Sequence, residues 1–346
     1  MNKFAELVAL QATKYAGREA LRYRDYVSGQ WQSLSWSDMQ VAVERAAAAF
    51  GQHGIEEQGR MCVFTQNCPE ILITHFAAFY HRAVPVPIYA TSSKDEAAYI
   101  VNDSGATIIL VGDQRQYDIA LALRDACPTL RQIIILDPQV KRASGDETTL
   151  SWDEFLAWGD RLDEKGRQLL EARRAAGVDG DLMYLIYTSG TTGVPKGVML
   201  THSNFNAAMW AHGERIPMDD ESDISLSFLP FSHIFELGWT MYCLTKGVRV
   251  AINHNPKEIQ RAVREVQPTC MCSVPRFWEK VYTAINDNLA AAKPVVRILV
   301  KRALAVGRSR NLKYVRMDRK VPVLLEKQYQ YFENKVFKRL LTAIGI

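Results

Sequence analysis

Short runs of apolar, often β-branched residues alternate along the first half of the chain with stretches whose apolar positions recur three and four apart. Residues 61–65, 84–88, 107–111 and 133–136 predict strands, while 70–81 and 94–104 predict the helices between them. Strands that are apolar throughout, joined by helices, build a mostly parallel sheet covered on both faces, so the expected class is α/β. From Asp137 to Asp181 the composition turns charged and polar, with helical pieces at 152–158 and 164–175. That stretch reads as a connection and predicts two αβ subdomains: 1–181, including the connection, and 182–346. The second carries predicted strands at 183–187, 248–252 and 269–273, a β-leaning run Val198-Met199-Leu200, and a helix at 204–213. No internal repeat has a fixed period.

Two segments invite a membrane reading and do not support it. Residues 1–10 carry Glu6 within their apolar face, which marks an amphipathic helix rather than the apolar core of a signal peptide. Residues 224–244 have about the length of a span. Pro230, His233 and Glu236 near the middle would leave a helix break and unpaired polar groups in hydrocarbon, so a buried strand, loop and helix is expected.

The densest chemistry lies at 187–198, Tyr-Thr-Ser-Gly-Thr-Thr-Gly-Val-Pro-Lys-Gly-Val, directly after a predicted strand. Glycines let a backbone approach an anion closely, hydroxyls and free N–H groups donate to its oxygens, and Lys196 adds positive charge. This is the composition of a phosphate cradle. A Walker loop would run from its lysine into Ser/Thr and a helix, whereas Lys196 is followed by Gly197 and a β-leaning run. A dinucleotide fingerprint fails too, because no glycine stands two residues before Gly190. The loop is therefore expected between two strands, at the C-terminal end of the first.

The string Thr188-Ser189-Gly190-Thr191-Thr192-Gly193-Val-Pro195-Lys196-Gly197 resembles the signature loop of the adenylate-forming superfamily, which includes acyl-CoA synthetases, luciferases and peptide-synthetase adenylation domains. Upstream, Asn67-Cys68-Pro69-Glu70, Gly105-Ala106 and residues 83–93 are similar to that family's first subdomain. Downstream, Phe228-Leu-Pro-Phe-Ser-His-Ile-Phe-Glu236 and Ser273-Val-Pro-Arg-Phe-Trp-Glu-Lys-Val-Tyr282 resemble its long-chain fatty acyl-CoA synthetase branch. The resemblance implies the N-terminal domain of the acyl-CoA synthetase-like fold, two layered αβ subdomains, ending before the mobile C-terminal domain. The family's adenine loop, Tyr-Gly-x-Thr-Glu motif, ribose-binding aspartate and C-terminal lysine have no counterpart before Ile346. An N-terminal fragment, inactive by itself and missing the C-terminal portion of the same enzyme, is therefore expected. The run 336–341 reads as an amphipathic helix that should pack on something downstream.

What the resemblance implies for chemistry is a long-chain fatty acid–CoA ligase: ATP activates a fatty acid to acyl-AMP, and CoA takes the acyl group. Thr188, Ser189, Gly190, Thr191, Thr192, Gly193 and Lys196 would hold the β- and γ-phosphates, with Thr188 also touching Mg²⁺. His233 would lie beside the reacting carboxylate, positioning it rather than taking a proton, since a carboxylate is already ionised at neutral pH. Phe231, Phe235, Leu237, Trp239, Val274 and Pro275 are candidates to line the acyl pocket, with Trp239 as a gate. An acyl-AMP ligase that loads a carrier protein is the alternative within the class. A non-catalytic binding or membrane-association module is the alternative outside it.

Composition narrows the setting. Hydrophobic residues make up 48% of 346, enough for one large or two ordinary domains. Six cysteines in apolar contexts, with no signal segment ahead of them, point to reduced thiols and a cytoplasmic location. Cys270 and Cys272 are too close together for a zinc knuckle and read as free thiols in a buried strand. Basicity is local: residues 293–346 hold 14 of the 42 Lys/Arg and 3 of the 38 Asp/Glu, which leaves 28 against 35 for the rest. From Lys293 to Lys320 the cations alternate with apolar residues, as in a segment touching an anionic inner membrane face or the phosphates of CoA; a solvated basic face is the alternative. No nucleic-acid-binding fold accompanies the charge.

Overall fold

The computed structural model describes residues 3–188 and 194–344. Helix α1 (Lys3–Tyr15) is followed by a hairpin of β1 (Glu19–Arg24) and β2 (Trp31–Ser35). Ser35 then starts α2 (Trp36–Gln52): its hydroxyl accepts the Asp38 N–H while the Asp38 carboxylate reaches back to the Ser35 N–H. Two of the helix's otherwise unpaired donors are thereby satisfied at once. Next come β3 (Arg60–Phe64), α3 (Pro69–His81), β4 (Val84–Ile88), α4 (Lys94–Ser104), β5 (Ile108–Val111), α5 (Gln114–Leu123), β6 (Gln132–Ile135), β7 (Leu150–Ser151), α6 (Trp152–Gly159) and α7 (Glu164–Ala175). After these run β8 (Leu182–Thr188), β9 (Lys196–Thr201), α8 (His202–Gly213), β10 (Ile224–Ser227), α9 (Ile234–Thr245) and β11 (Arg249–Ile252). Ser93, Asp113, Ser151 and Thr201 repeat the reciprocal cap at the starts of α4, α5, α6 and α8.

A five-stranded sheet in the order β4-β3-β5-β6-β7 is parallel throughout. Its inner strands are apolar apart from Arg60 and Gln132 at their starts, because both faces are covered. Met61, Val63, Ile108, Leu110 and Ile134 point into one core, and Cys62, Phe64, Ile109, Val111, Ile133 and Ile135 into the other. This is the period-two alternation of a strand expressed between two apolar faces. A second sheet runs β10-β11-β1-β2, parallel except for β1 against β2, and β8 with β9 forms an antiparallel pair that packs against β4.

Two compact units result, Met1–Pro256 and Lys257–Ile346. The expected boundary at 181/182 falls inside the first. Its strands interleave: β8 lies on β4, β11 pairs with β1, and the Arg82 guanidinium grips the Asp181 carboxylate at 2.9 and 3.1 Å. The second unit is helical, with α10 (Ile259–Val266), α11 (Pro275–Ala291), α12 (Pro294–Lys313), α13 (Val323–Phe332) and α14 (Lys338–Ile344).

One expectation needs correction. Residues 269–273 do not form a strand; Cys270 makes an isolated bridge, and Pro268 and Pro275 on either side remove ladder donors and restrict their predecessors. In the run from Val336, Val336, Phe337 and Leu340 pack with Val300, Ala303 and Phe332 inside the second unit, while Leu341 is exposed. The hairpin β1–β2 and helix α2 had no counterpart in the sequence reading. In α2 the buried face is largely alanine, Ala46 to Ala49, which carries little hydrophobic contrast but lets α6 approach so closely that a Cβ on Gly159 would stand 2.0 Å from the Arg45 carbonyl oxygen. All six cysteines are free; Cys270 is half-buried and the others are buried.

Candidate functional site

Strand β8 delivers Thr188 to the surface at its C-terminal end, after Tyr184, Ile186 and Tyr187 have been buried. Thr188 pairs with Lys196, the first residue of β9, so the two ends of the glycine-rich stretch face each other across a hairpin, as expected. Both residues are exposed. Ser189, Gly190, Thr191, Thr192 and Gly193 lie outside the described residues. The base of the hairpin is fixed by Tyr187, whose hydroxyl donates to Asp103 on α4 at 2.6 Å. Burial, and then Asp103 itself, pushes that phenol's pKa up, so it remains a donor.

Thr188 and Pro195 share a cavity of about 390 Å³ with Tyr89, Ser92, Glu96 and His233. The loop carrying Tyr89 and Ser92 is held by α5. The Arg115 guanidinium donates to the carbonyls of Ala90, Thr91 and Ser92 at 3.1, 3.4 and 2.7 Å, and the Gln116 amide donates to Ala90 at 3.1 Å. Sequence reading missed this pair; the Asp-x-x-Gln cap of α5 was the available signal, because the same Gln116 closes it.

His233 is the N-cap of α9. Its ring Nδ1 accepts the Phe235 N–H at 3.2 Å, and its backbone N–H donates to the Pro230 carbonyl at 3.0 Å. A neutral imidazole that accepts at Nδ1 carries its proton on Nε2, so the exposed face of this ring is a hydrogen-bond donor. A carboxylate is a fitting acceptor for it.

Immediately beyond, α8 and α9 enclose an apolar cleft of about 350 Å³ lined by Phe205, Met209, Phe235 and Trp239 among others. Ile234 lines both this cleft and the cavity that holds Thr188 and His233. The Trp239 indole N–H donates to Ser225 at 2.9 Å, which fixes the ring's tilt. Of the residues expected along an acyl chain, Phe235 and Trp239 are thus at one cleft. Phe231 and Leu237 are 1% and 0% exposed and serve the core instead, because a fully packed ring or isobutyl group has no free face. Val274 and Pro275 cap and open α11 in the second unit.

The segment between β10 and α9 is gripped from two sides. The buried Asn67 amide donates to the Leu229 carbonyl at 2.7 Å and accepts the Phe231 N–H at 2.9 Å. Glu236, fully buried one turn into α9, accepts the Leu229 N–H at 3.1 Å. Burial pushes the Glu236 carboxyl up to about 7, against hydrogen bonds from Ser227, Leu229, Phe228 and Thr240 that favour its charged form. The sequence showed both residues inside motifs but gave no sign that they meet one loop.

Among the described residues no group of three or more His, Cys, Asp or Glu is arranged to hold a metal, and no helix is long and apolar enough to cross a membrane. In the basic segment, α12 exposes Val295, Ile298, Leu304 and Leu312 while burying Val300 and Ala303. Arg310 is committed within the unit: it donates to both oxygens of Glu326 at 2.7 and 3.0 Å and lies over the Tyr329 ring at 4.2 Å.

Residues 8–322 match the AMP-binding enzyme family. The chain is 29% identical over 339 residues to a long-chain-fatty-acid–CoA ligase, ACSBG2, of Xenopus laevis, covering 94% of this chain and 44% of that one. It is 28% identical over 338 residues to the long-chain-fatty-acid–CoA ligase FadD15 of Mycobacterium tuberculosis, covering 93% and 52%. The chain thus spans about half the length of the curated relatives it matches. Its fold is shared with the adenylation domain of a carboxylate reductase from Mycobacterium chelonae, at a TM-score of 0.70 and 19% identity over 89% of this chain and 51% of that one.

Proposed function

The chain belongs to the AMP-binding enzyme family, and from that membership we propose that it is the nucleotide- and acyl-binding part of a long-chain fatty acid–CoA ligase. In that reaction a carboxylate oxygen bonds to the α-phosphorus of ATP while the bond to the β-phosphate oxygen breaks, its electron pair leaving with pyrophosphate. The CoA thiol then attacks the acyl-adenylate carbonyl, gives up its proton and expels AMP. Catalysis of this kind is largely positioning and charge neutralisation. Thr188, Ser189, Gly190, Thr191, Thr192, Gly193 and Lys196 are the donors to pyrophosphate oxygens. His233 holds the fatty carboxylate through Nε2–H, and Phe235 and Trp239 flank the start of its chain.

The observation that carries this reading is that a cavity bearing the polar side chains of Ser92, Glu96, Thr188 and His233 adjoins, at Ile234, a more strongly apolar cleft lined by Phe235. A fatty acid has the same division between head and tail. Magnesium would contribute charge neutralisation on the nucleotide, and the exposed Thr188 hydroxyl is a hard oxygen donor of the kind that ion takes. Cytoplasmic location and peripheral contact of residues 293–320 with anionic lipid belong to the same proposal, supported by the local positive charge.

The test is ATP–pyrophosphate exchange by the native, full-length protein, with palmitate and with a short acid, followed by CoA-dependent release of AMP. Exchange that depends on the long-chain acid, and AMP release on adding CoA, are expected. Exchange indifferent to the acid would refute the substrate class, and acyl transfer to a carrier protein but not CoA would refute the acceptor.

A further inference from the structure

The loop from Phe228 to His233 has few contacts of its own making. Pro230 has no N–H; the Leu229 N–H goes to Glu236, the Phe231 N–H and Leu229 carbonyl go to Asn67, and the His233 N–H and Pro230 carbonyl pair with each other. Asn67 comes from the turn between β3 and α3, more than 160 residues away in sequence, and Glu236 from α9. Asn67 is itself held, because its backbone carbonyl accepts from His254 Nδ1 at 3.0 Å, just after β11. Glu236 is braced at the far end: Thr240 donates to it at 3.4 Å, and the Thr240 and Ser227 hydroxyls meet at 2.8 Å.

A side-chain amide that both donates to and accepts from one backbone stretch fixes its translation and its twist, as a strand neighbour does. With the opposite side bound to a buried carboxyl, the loop backbone is held by side chains on both flanks. Leaving a buried N–H unpaired is costly, so alternative loop conformations are disfavoured. The ring of His233 sits at the end of this loop.

We propose that Asn67 and Glu236 are positioning residues, which hold the Phe228–His233 loop from two sides and thereby set the direction of the His233 Nε2–H at the Thr188 cavity. The structural half of this stands on the hydrogen bonds; its catalytic half rests on the ligase reading given above. The two halves are separable by experiment.

The first measurement is nitrogen NMR of imidazole-labelled protein at about pH 8, where histidine is neutral. The chain has seven histidines, and His233→Gln identifies the signals of interest. In the parent, His233 is expected as a single Nε2–H tautomer with widely separated ring nitrogens. In Asn67→Ala and Glu236→Ala the two signals are expected to move toward each other as the Nδ1 acceptor geometry is lost, and in Glu236→Gln, which keeps an oxygen toward Leu229, to stay apart. If either alanine variant fails to fold by circular dichroism, Asn67→Asp carries the test, because it keeps the acceptor for Phe231 and loses the donor to Leu229. Unchanged His233 signals in the folded loss variants would overturn the proposal.

The second measurement is palmitate-dependent pyrophosphate exchange by the native protein. A misplaced binding group should lower kcat roughly ten- to a hundredfold. KM for ATP should be little changed, with recovery in Glu236→Gln. Full exchange activity in variants whose His233 signals have shifted would overturn the catalytic half. A parent that shows the tautomer but no exchange would refute the ligase reading and leave the positioning of His233 supported.

Discussion

Replacing Glu236 with glutamine should make the protein more stable at neutral and alkaline pH, while changing little in mild acid. The side chain is fully buried, and its carboxyl is raised from 4.5 to about 7, chiefly by desolvation. A folded pKa above the unfolded one means that folding favours the protonated form. The stability contributed by that proton is complete below about 4.5 and is lost as pH rises through about 7. The difference between the two values corresponds to something on the order of 3 kcal/mol, since each pKa unit is worth about 1.4 kcal/mol. Glutamine keeps the shape, an oxygen toward the Leu229 and Phe228 N–H groups and a donor toward the hydroxyls of Ser227 and Thr240, but has no charge to bury. Urea unfolding of parent and variant from about pH 5 to pH 9 should give curves that coincide in acid and diverge with a slope approaching one proton per molecule. Taking the difference removes the titration of every other group. A gap that does not vary with pH, or a variant less stable than the parent throughout, would refute the burial argument. The first outcome would mean water reaches Glu236; the second, that its negative charge is what the loop N–H groups require.

Other consequences are open to direct measurement. Lys196→Ala and Thr191→Ala in the native protein should each slow pyrophosphate exchange by roughly ten- to a hundredfold, the effect of about 1.5–3 kcal/mol of charge-assisted hydrogen bonding lost from the transition state; unaltered exchange would return the stretch to an ordinary hairpin turn. Gly159→Ala should lower the unfolding free energy by about 1–3 kcal/mol, because its methyl group would meet the Arg45 backbone and push α6 off α2; equal urea midpoints would show that the contact yields. Lys301, Arg302 and Arg308 changed together to glutamine should weaken co-sedimentation with anionic vesicles at low salt, each cation contributing about 1 kcal/mol near such a surface. Arg310→Gln should matter less because its guanidinium is occupied by Glu326, and binding indifferent to both sets would leave the segment a solvated face.

Local signals were legible where several agreed on one boundary. Helix α4 was readable from end to end because Ser93 and Glu96 close a capping box at its start and Gly105 takes the left-handed conformation at its stop. The parallel sheet was legible because strands apolar on both faces leave uninterrupted runs, and the phosphate stretch because its residues are consecutive. The fold's interleaving was not: β11 pairs with β1 across more than 220 residues, and nothing in Val250 or Leu21 names the other. The same holds for the site. His233 could be picked out from its motif, but its support by Asn67 depends on a turn that only the folded sheets bring alongside. Residues 269–273 misled because β-leaning composition reports on a buried environment as much as on a ladder.

The N-cap at His233 has a bearing on how any measurement there should be read. One ring nitrogen secures the first turn of α9 and the residue also lines the cavity, so it belongs to the scaffold and to the site at once. Alanine at this position subtracts both functions together, and the loss of the cap alone is worth about 0.5–2 kcal/mol. Asparagine, which caps helices well but presents no imidazole, subtracts only one. Their ratio, rather than either value, apportions the effect between an untethered helix and a missing ligand to the carboxylate.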